Sequence, residues 1–294
     1  MTKPDFIIIG AMKSATSTLH TQLSLQPDIF MSTPKEPNFF SDDDVYKRGA
    51  RWYMSLFSLT PKGHLCGESS THYTKLPDYP LTIGRMSKLL KETKFIYIMR
   101  HPIDRLVSHY IHQWSQNIIK CDINEAINKH PELINYSKYS MQLQPYFDEF
   151  GINNVLPLFA EKFKKSPQKQ LDLISNFIDY HDVMHWNFNL KQQNISKERI
   201  RHFRGYKFFV DSNVMVFLRR RLIPQFFRTR IKKKLTIKNR PTINEIQLKR
   251  LTEIFNEDLK QLGTWLGVDL SCENYKEKII NNDLMWGGIK QAKN

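Results

Sequence analysis

Cysteine is scarce in this sequence, and long apolar runs are missing. The 294 residues contain three cysteines, widely spaced at Cys66, Cys121 and Cys272. This number and spacing argue against a disulfide framework and against a CxxC metal site. No stretch approaches the roughly 18 apolar residues of a membrane-spanning helix, and only four apolar residues precede Gly10, so we expect no secretory signal peptide. With 40% hydrophobic residues, the chain can form a sizeable core. Together with the few cysteines and the lack of a signal peptide or membrane span, this predicts a soluble, cytoplasmic protein.

Acidic residues are missing from one long segment. Residues 212–244 hold ten Lys and Arg and no Asp or Glu, which accounts for two thirds of the net charge of +15. Within it, the basic segment 218–235 interleaves cations with Phe226, Phe227 and Ile231. Such a segment can be a solvated helical face, can steer anionic ligands towards a cleft, or can make a peripheral contact with an anionic membrane. Nucleic-acid binding is a weaker alternative, because no recognised nucleic-acid fold accompanies the charge, and we expect none.

Strand and helix patterns alternate along the first 180 residues, which predicts an α/β fold with a parallel sheet flanked by helices. The predicted strands are Phe6–Ile9, Leu65–Glu68, Lys94–Met99 and Val155–Phe159. The predicted helices are Thr16 to about Leu25, Pro80–Glu92, Pro102 to about Ile118, Ser137–Phe150 and Pro167–Tyr180, with a loop over Pro27–Asp44. We predict a single domain over 1–294, with a core of about 1–180 and a helical, basic C-terminal extension of about 187–294. Its last helix is the amphipathic Asn244–Leu266, which Gly267 ends.

The first strand runs into a turn of small residues that opens a helix. This turn carries one lysine and four hydroxyls, at Lys13, Ser14, Thr16, Ser17 and Thr18. Backbone N–H groups at a helix N-terminus point at anionic oxygens, and a lysine adds a full positive charge. The pattern predicts an anion cradle, with Thr16 or Ser17 as the helix cap.

A nucleoside triphosphate is a poor match for this cradle. The GxxxxGK[ST] pattern is absent, and strand Lys94–Met99 is followed by Arg100 where a magnesium-binding aspartate would be expected. Arg100 lies at the carboxyl end of a strand, where open α/β sheets bind ligands, and Ser108 follows about two helical turns later. We therefore predict a metal-free ligand with a second phosphate, held by Arg100 and Ser108. The simpler alternatives are that Arg100 pairs with Asp104 or Glu68, and that Ser108 bonds its own helix.

These two motifs resemble the PAPS-dependent sulfotransferase family, in which PAPS is 3′-phosphoadenosine 5′-phosphosulfate. Residues 13–17 (KSATS) resemble the family's 5′-phosphosulfate loop K-x-G-T-[ST], with Ala15 at the glycine. Arg100 and Ser108 resemble its 3′-phosphate motif. The resemblance implies a P-loop-like sheet, PAPS as co-substrate and PAP as product, with no metal. It assigns the nucleotide to Lys13, Ser14, Ala15, Thr16, Ser17, Thr18, Arg100 and Ser108.

Further segments extend the resemblance towards bacterial-type enzymes related to the glycan sulfotransferase branch. Residues 34–40 (PKEPNFF) resemble a KEPxFF segment whose glutamate is the base, which implies Glu36 as catalytic base and Lys13 as its catalytic partner. Residues 67–73 resemble a GE-K-[ST]-P-x-Y segment, with Ser69 in place of the lysine. Residues 196–199 resemble an S-K-G-R loop, which implies that Lys197 and Arg199 contact the 3′-phosphate.

The sequence thus predicts sulfuryl transfer from PAPS to a hydroxyl or amine of a small-molecule or saccharide acceptor. The acceptor itself, the choice between oxygen and nitrogen, the oligomeric state and a share of His72 in the base role stay open. One alternative is a kinase-like phosphotransferase that uses ATP and magnesium. The other is a membrane-surface or nucleic-acid binding protein on a degenerate nucleotide fold.

Overall fold

The computed structural model describes residues 2–190 and 240–289, and a five-stranded parallel sheet lies at its centre. The order across the sheet is β2-β3-β1-β4-β5. The strands are β1 Phe6–Gly10, β2 Ile29–Met31, β3 Leu65–Ser69, β4 Lys94–Met99 and β5 Val155–Phe159. A short antiparallel hairpin of β6 Leu284–Met285 and β7 Gly288–Ile289 follows near the C-terminus. The predicted α/β class with a parallel sheet is confirmed.

Helices pack on both faces of this sheet. They are α1 Thr16–Leu23, α2 Asp43–Tyr46, α3 Gly49–Ser55, α4 Thr82–Ser87, α5 Pro102–Ser115, α6 Ile123–Lys129, α7 Glu132–Asn135, α8 Tyr139–Phe150, α9 Ala160–Lys165, α10 Pro167–Phe177, α11 Glu245–Leu266 and α12 Tyr275–Asn281. Single 3₁₀ turns occupy Thr71–Thr74 and Ile152–Asn154. None of the helices in these two described ranges is both long and apolar enough to span a membrane.

Alternating residues of the strands belong to two separate apolar clusters. In β1, Ile7 and Ile9 join a large cluster with side chains of α5, α8 and α11, whereas Phe6 and Ile8 join a second cluster with α1 and α10. Successive side chains of a strand point to opposite faces. A strand buried on both faces therefore reads as a continuous apolar run, and this is why β1, β4 and β5 could be predicted.

The C-terminal helix α11 is held to the sheet domain by a buried carboxylate. Asn244 caps its start by accepting from the Gln247 amide, and Gly267 ends it in the left-handed region, as predicted. Asp258, near its middle, accepts hydrogen bonds from the backbone N–H groups of Ser140 and Met141 at the start of α8. Negative charge is stabilised at a helix N-terminus, so Asp258 fixes α11 against α8.

Two sequence predictions about local structure are wrong. The stretch Pro27–Asp44, predicted as loop, contains β2, a three-residue strand that pairs with β3 at the sheet edge. The helix predicted over Pro80–Glu92 is the shorter α4, Thr82–Ser87. Both differences concern short elements that neighbouring chain segments, rather than local pattern, hold in place.

The strand order brings the functional segments together. β3, β1 and β4 are adjacent, and parallel strands end at the same edge, so the segments that follow them are neighbours there. The Thr74 hydroxyl donates to the carbonyl of Ile9 at 2.8 Å, which ties the turn after β3 to the end of β1. Gly10 must be a glycine here, because a Cβ would lie 2.1 Å from the Thr74 Oγ1.

Candidate active site

The predicted anion cradle is the turn between β1 and α1. Ala15 directly precedes α1 as its N-cap, with no side-chain cap hydrogen bond, so the prediction of Thr16 or Ser17 as cap is wrong. Lys13 and Ala15 both adopt left-handed backbone conformations, with φ of 73° and 71°. A helix start without a side-chain cap leaves its N–H groups to other acceptors, and an anionic oxygen is a suitable one.

Replacing Ala15 by glycine should stabilise the fold. A left-handed conformation costs an L-residue roughly 1–2 kcal/mol, whereas the extra freedom of glycine in the unfolded chain offsets about 0.4–1 kcal/mol of the gain. We expect Ala15→Gly to raise the free energy of unfolding by about 0.5–1 kcal/mol in urea denaturation. Ala126→Gly, at a buried position of α6, is the control and should destabilise by roughly 1 kcal/mol or more, because helix propensity and packing are both lost. Equal losses in both variants would contradict this account.

A buried hydroxyl marks the inside of the cradle. Ser14 is completely buried, and its Oγ has no hydrogen-bond partner among the described residues. Thr16 is also buried, whereas Ser17 and Thr18 are half-buried. Buried polar atoms are nearly always paired, so an orphan calls for an explanation. A bound anion that accepts from Ser14 supplies one, and the cradle in this respect fits a phosphate group.

The second predicted motif contacts the first. Arg100 follows β4, and its Nη1 donates to the carbonyl oxygen of Lys13 at 3.2 Å. Tyr139 of α8 fixes the Arg100 backbone, accepting from its N–H and donating to its carbonyl oxygen. Arg100 forms no ion pair with Asp104 or with Glu68 in the part of the chain that is described. The structure therefore places a guanidinium beside the cradle.

Asp104 is engaged elsewhere. It pairs with Lys276 at 2.7 Å and with Arg240. Burial acts to raise the pKa of Asp104, but hydrogen bonds from these two cations outweigh it and lower the pKa to about 2.

Ser108, one helical turn further along α5, is buried at 5% exposure.

The sequence analysis did not identify Arg105 as a site residue. Its guanidinium hydrogen-bonds to the turn that forms the cradle. Arg105 is completely buried and donates to the carbonyls of Leu133 at 2.8 Å and Met12 at 3.5 Å, and to the Ser137 hydroxyl. Burial lowers its pKa to about 10, which leaves it charged at neutral pH. Its place five residues after Arg100, inside the same motif, was the available signal. Arg105 therefore adds positive charge next to a site that is predicted to bind anions.

Glu36 lies in the segment between β2 and α2, at the same edge of the sheet. Its N–H donates to the Ser69 carbonyl at the end of β3, over 2.9 Å. Its Oε1 accepts from the Lys35 ammonium at 2.9 Å and, more weakly, from the Thr71 hydroxyl at 3.4 Å. The Glu36 side chain is 34% exposed. It is thus held in place and still accessible, as a base that meets an incoming substrate must be.

Two neutral histidines and a buried lysine lie close enough to Glu36 for its charge to affect their pKa values. The Nδ1 of His20 lies 2.8 Å from the Ser69 Oγ. Burial, with a smaller effect of a nearby lysine, lowers the pKa values of His20 and His72 to about 4. Burial also lowers the pKa of Lys75 to about 8, although Glu36 acts in the opposite direction. Of these residues, the sequence had indicated His72 alone.

Glu68, at the end of β3, is a buried carboxyl that is separate from Glu36 and its neighbouring histidines and lysine. It is completely buried, and burial raises its pKa to about 8, although the hydroxyls of Tyr73 and Tyr53 act in the opposite direction. The pKa of Glu68 is higher in the folded protein than its ordinary value of 4.5. The protonated carboxyl therefore makes its full contribution to the free energy of unfolding below pH 4.5, and this contribution is lost as the pH rises through about 8.

The variant Glu68→Gln should remove this pH dependence. The amide is neutral throughout, so the variant should lose less stability than the wild type between pH 5 and pH 8, by an amount on the order of a few kcal/mol. Urea denaturation at a series of pH values measures it. Glu149→Gln, at an exposed site on α8, is the control and should follow the wild type. If the free energy of unfolding depends on pH in the same way in Glu68→Gln and in the wild type, the raised pKa of Glu68 is contradicted.

Two predicted site residues, Lys197 and Arg199, lie outside the described residues, as does the basic segment 218–235. Their roles stay predictions.

Comparison with known proteins agrees with the motifs. The chain is 29% identical over 198 residues to mouse heparan sulfate glucosamine 3-O-sulfotransferase 3B1, covering 63% of this chain and 49% of the relative. It is 25% identical over 207 residues to the mouse bifunctional heparan sulfate N-deacetylase/N-sulfotransferase 1, covering 62% of this chain and 23% of the relative. The chain thus spans about half the length, or less, of these curated relatives.

The fold has a clear counterpart among solved structures. A sulfotransferase from Alicyclobacillus acidocaldarius superposes with a TM-score of 0.66 at 22% identity, covering 92% of this chain and 98% of that one. The family model described as "Sulfotransferase domain" matches residues 3–263. The resemblance indicated by the motifs is therefore confirmed, and this chain belongs to the sulfotransferase domain family.

Proposed function

We propose that this protein transfers a sulfuryl group from PAPS to a hydroxyl or amine of an acceptor and releases PAP. The observation that carries the proposal is the contact between the two anion motifs, in which the Arg100 guanidinium donates to the Lys13 carbonyl. A cradle at the end of β1 and a guanidinium at the end of β4 suit a nucleotide with two separate phosphates. Family membership supports the same reaction.

In this proposal the cradle holds the 5′-phosphate. The backbone N–H groups at the start of α1 and the hydroxyls of Ser14, Thr16, Ser17 and Thr18 are the donors, and Ala15 provides the turn. Arg100 and Ser108 hold the 3′-phosphate, and Arg100 suits this role because a guanidinium matches phosphate oxygens in a bidentate fork. We assign Lys197 and Arg199 to the same phosphate from the motif alone.

Glu36 and Lys13 divide the chemistry between them. PAPS supplies an activated sulfuryl group, whose bond to the phosphate oxygen breaks as the bond to the acceptor forms. Glu36 accepts the proton that the acceptor loses. Lys13 neutralises the negative charge that develops on the bridging oxygen. Arg105 acts through the backbone, because its bond to the Met12 carbonyl positions the turn that carries Lys13.

A saccharide or a small molecule is the proposed acceptor class. One curated relative is named as a heparan sulfate glucosamine 3-O-sulfotransferase and the other as a heparan sulfate N-deacetylase/N-sulfotransferase, which supports a sugar hydroxyl or amine as the acceptor here. Glu36 lies at an accessible edge of the site, where either kind of acceptor could approach. A peripheral membrane contact through 218–235 is a separate proposal, and its support is the sequence alone.

Turnover with and without the 3′-phosphate tests the proposal. The protein is incubated with PAPS and a panel of glucosamine saccharides, phenols and amines, and release of PAP and sulfated product is measured by mass spectrometry. Adenosine 5′-phosphosulfate, which lacks the 3′-phosphate, is the matched donor. We expect PAPS to be the better donor by about a hundredfold or more, since a charge-assisted bidentate pair is lost without that phosphate. Equal use of both donors, or phosphoryl transfer from ATP and magnesium, would contradict the proposal.

A further inference from the structure

His20 connects the helix that follows the anion cradle to a neighbouring strand. It lies in α1, which packs against the sheet through the completely buried side chains of Leu19 and Leu23. The half-buried ring of His20 reaches the end of β3, where its Nδ1 lies 2.8 Å from the Oγ of Ser69. Ser69 is itself completely buried. This hydrogen bond therefore fixes the end of β3 against the helix whose start forms the cradle.

Ser69 also holds the backbone of Glu36. The Glu36 N–H donates to the Ser69 carbonyl at 2.9 Å, and the N–H of Asn38 donates to the Ser70 hydroxyl at 3.2 Å. Glu36 has a left-handed backbone conformation, with φ of 58°. This conformation is unfavourable for an L-residue and persists where the surrounding structure fixes it. The end of β3 therefore determines where the Glu36 side chain begins.

One residue thus joins the two halves of the candidate site, because the Ser69 hydroxyl contacts α1 and the Ser69 carbonyl contacts Glu36. Burial lowers the pKa of His20 to about 4, so that the ring is neutral at neutral pH and brings no charge to the site. The stabilisation of developing charge that is proposed for Lys13 is therefore not its role. The contribution that the contact with Ser69 can make is geometric.

We propose that His20 is a positioning residue that acts through Ser69, keeping the Glu36 backbone at a fixed distance from the cradle and so aligning the base with the bound donor. This inference rests on the proposed function. The bonds that form and break are those of the proposed transfer, and His20 neither gains nor loses a proton in it. The alignment matters because a displacement of about 1 Å between reacting groups can cost about a hundredfold in rate.

Two variants break the contact from opposite sides. His20→Leu removes the ring nitrogen, whereas Ser69→Ala removes the hydroxyl and leaves the carbonyl that binds Glu36. His20→Asn keeps a polar group near the position of Nδ1 and is the conservative variant. Ser115→Ala is the matched control, because it deletes a buried hydroxyl that bonds the His112 carbonyl of its own helix at 2.7 Å. Ser69→Ala carries the test alone if circular dichroism shows that His20→Leu does not fold.

Rates of PAP release from PAPS are measured with the best acceptor of the panel above and with water alone, and PAP affinity is measured by calorimetry. We expect His20→Leu and Ser69→Ala each to lower kcat about tenfold to a hundredfold and to leave PAP affinity within about twofold. The double variant should be within about twofold of the slower single variant, because both residues act through one contact. His20→Asn should stay within about threefold of the wild type, and Ser115→Ala should match it.

Amide hydrogen exchange tests the geometry without any acceptor. The Glu36 amide should exchange about tenfold faster in His20→Leu and in Ser69→Ala, because its carbonyl partner is no longer fixed against α1. The amides of α1 itself should keep their wild-type exchange rates. Faster exchange throughout the protein would indicate a general loss of stability and would contradict a positioning role.

Wild-type kcat in both single variants would overturn the inference, whatever the exchange rates. Equal losses of rate and of PAP affinity would also overturn it, because His20 would then act on the cradle. Additive losses in the double variant would do so as well, because the two residues would then act separately. Failure of the wild type to bind PAP would instead refute the proposed function, while amide exchange would still report on the contact, so the two failures are distinguishable.

Discussion

Glu36→Gln should reduce sulfuryl transfer by about 10³-fold, because an amide cannot accept the proton that a general base removes. Shape and size are nearly preserved, and the backbone bond from Glu36 to the Ser69 carbonyl does not depend on the side chain. PAP affinity should stay within about twofold, because the Glu36 side chain hydrogen-bonds to Lys35 and Thr71, which lie outside the cradle. Steady-state rates at saturating PAPS and calorimetry with PAP measure the two effects.

Asp44→Asn is the matched control for this variant, since Asp44 is an exposed carboxylate eight residues further along the chain. It should retain wild-type rates. Normal turnover by Glu36→Gln would remove Glu36 from the base role. His72 would then be the next candidate, because burial lowers its pKa to about 4 and keeps it neutral, and its Nδ1 has no partner among the described residues.

Lys13→Met should lower kcat by about 10²–10³-fold, the range found when one preorganised charge-stabilising donor is removed. The reason is that the positive charge beside the bridging oxygen is lost at the moment that oxygen becomes anionic. The fold should survive, because Arg100 contacts the Lys13 backbone carbonyl rather than its side chain. Rates at saturating PAPS, together with thermal unfolding of the free protein, separate catalysis from stability.

Lys47→Met is the control for lost charge alone, because Lys47 is exposed and its ion pair is with Asp44, an exposed side chain three residues earlier. An active Lys13→Met variant with unchanged kcat would show that Lys13 is an ordinary surface lysine. A fall in melting temperature that matches the fall in rate would instead assign Lys13 a structural role.

The sequence predicted the sheet core well because those strands are buried on both faces. β4 and β5 have the predicted bounds, and β1 and β3 each extend one residue further. Each of β1, β4 and β5 is a short apolar run bounded by turn residues. The edge strand β2 was missed because three residues carry no periodicity, and its pairing with β3 depends on a distant segment.

The motif residues of the candidate site were predictable for a topological reason. Lys13 and Arg100 each follow a buried strand, and neighbouring parallel strands end at one edge, so the two residues had to be close. Ala15 instead shows the limit of local pattern, because the helix starts at a left-handed alanine rather than at the hydroxyl residue that capping preferences favour.

Buried charges were the part of the site that the sequence did not indicate. Lys75 lies in a polar stretch, THYTKLPD, that is typical of an exposed loop, and only the packing of its neighbours buries it. Arg105 and Glu68 are likewise fully buried through contacts with segments far away in the chain. The periodicity of a sequence carries no information about contacts between distant segments. The burial of these side chains could therefore be learned only from the three-dimensional structure.

The most direct test of the central claim is the thermal unfolding of the whole chain with PAP, compared with ADP and with ATP plus magnesium. A ligand at about 100 times its Kd adds roughly 2.7 kcal/mol to the free energy of unfolding, which raises the melting temperature by several degrees. A large rise with PAP and little change with ADP is the predicted result, since it shows that the 3′-phosphate is bound. A rise only with ATP and magnesium, or none with any nucleotide, would contradict the account of Arg100 and the cradle as a two-phosphate site.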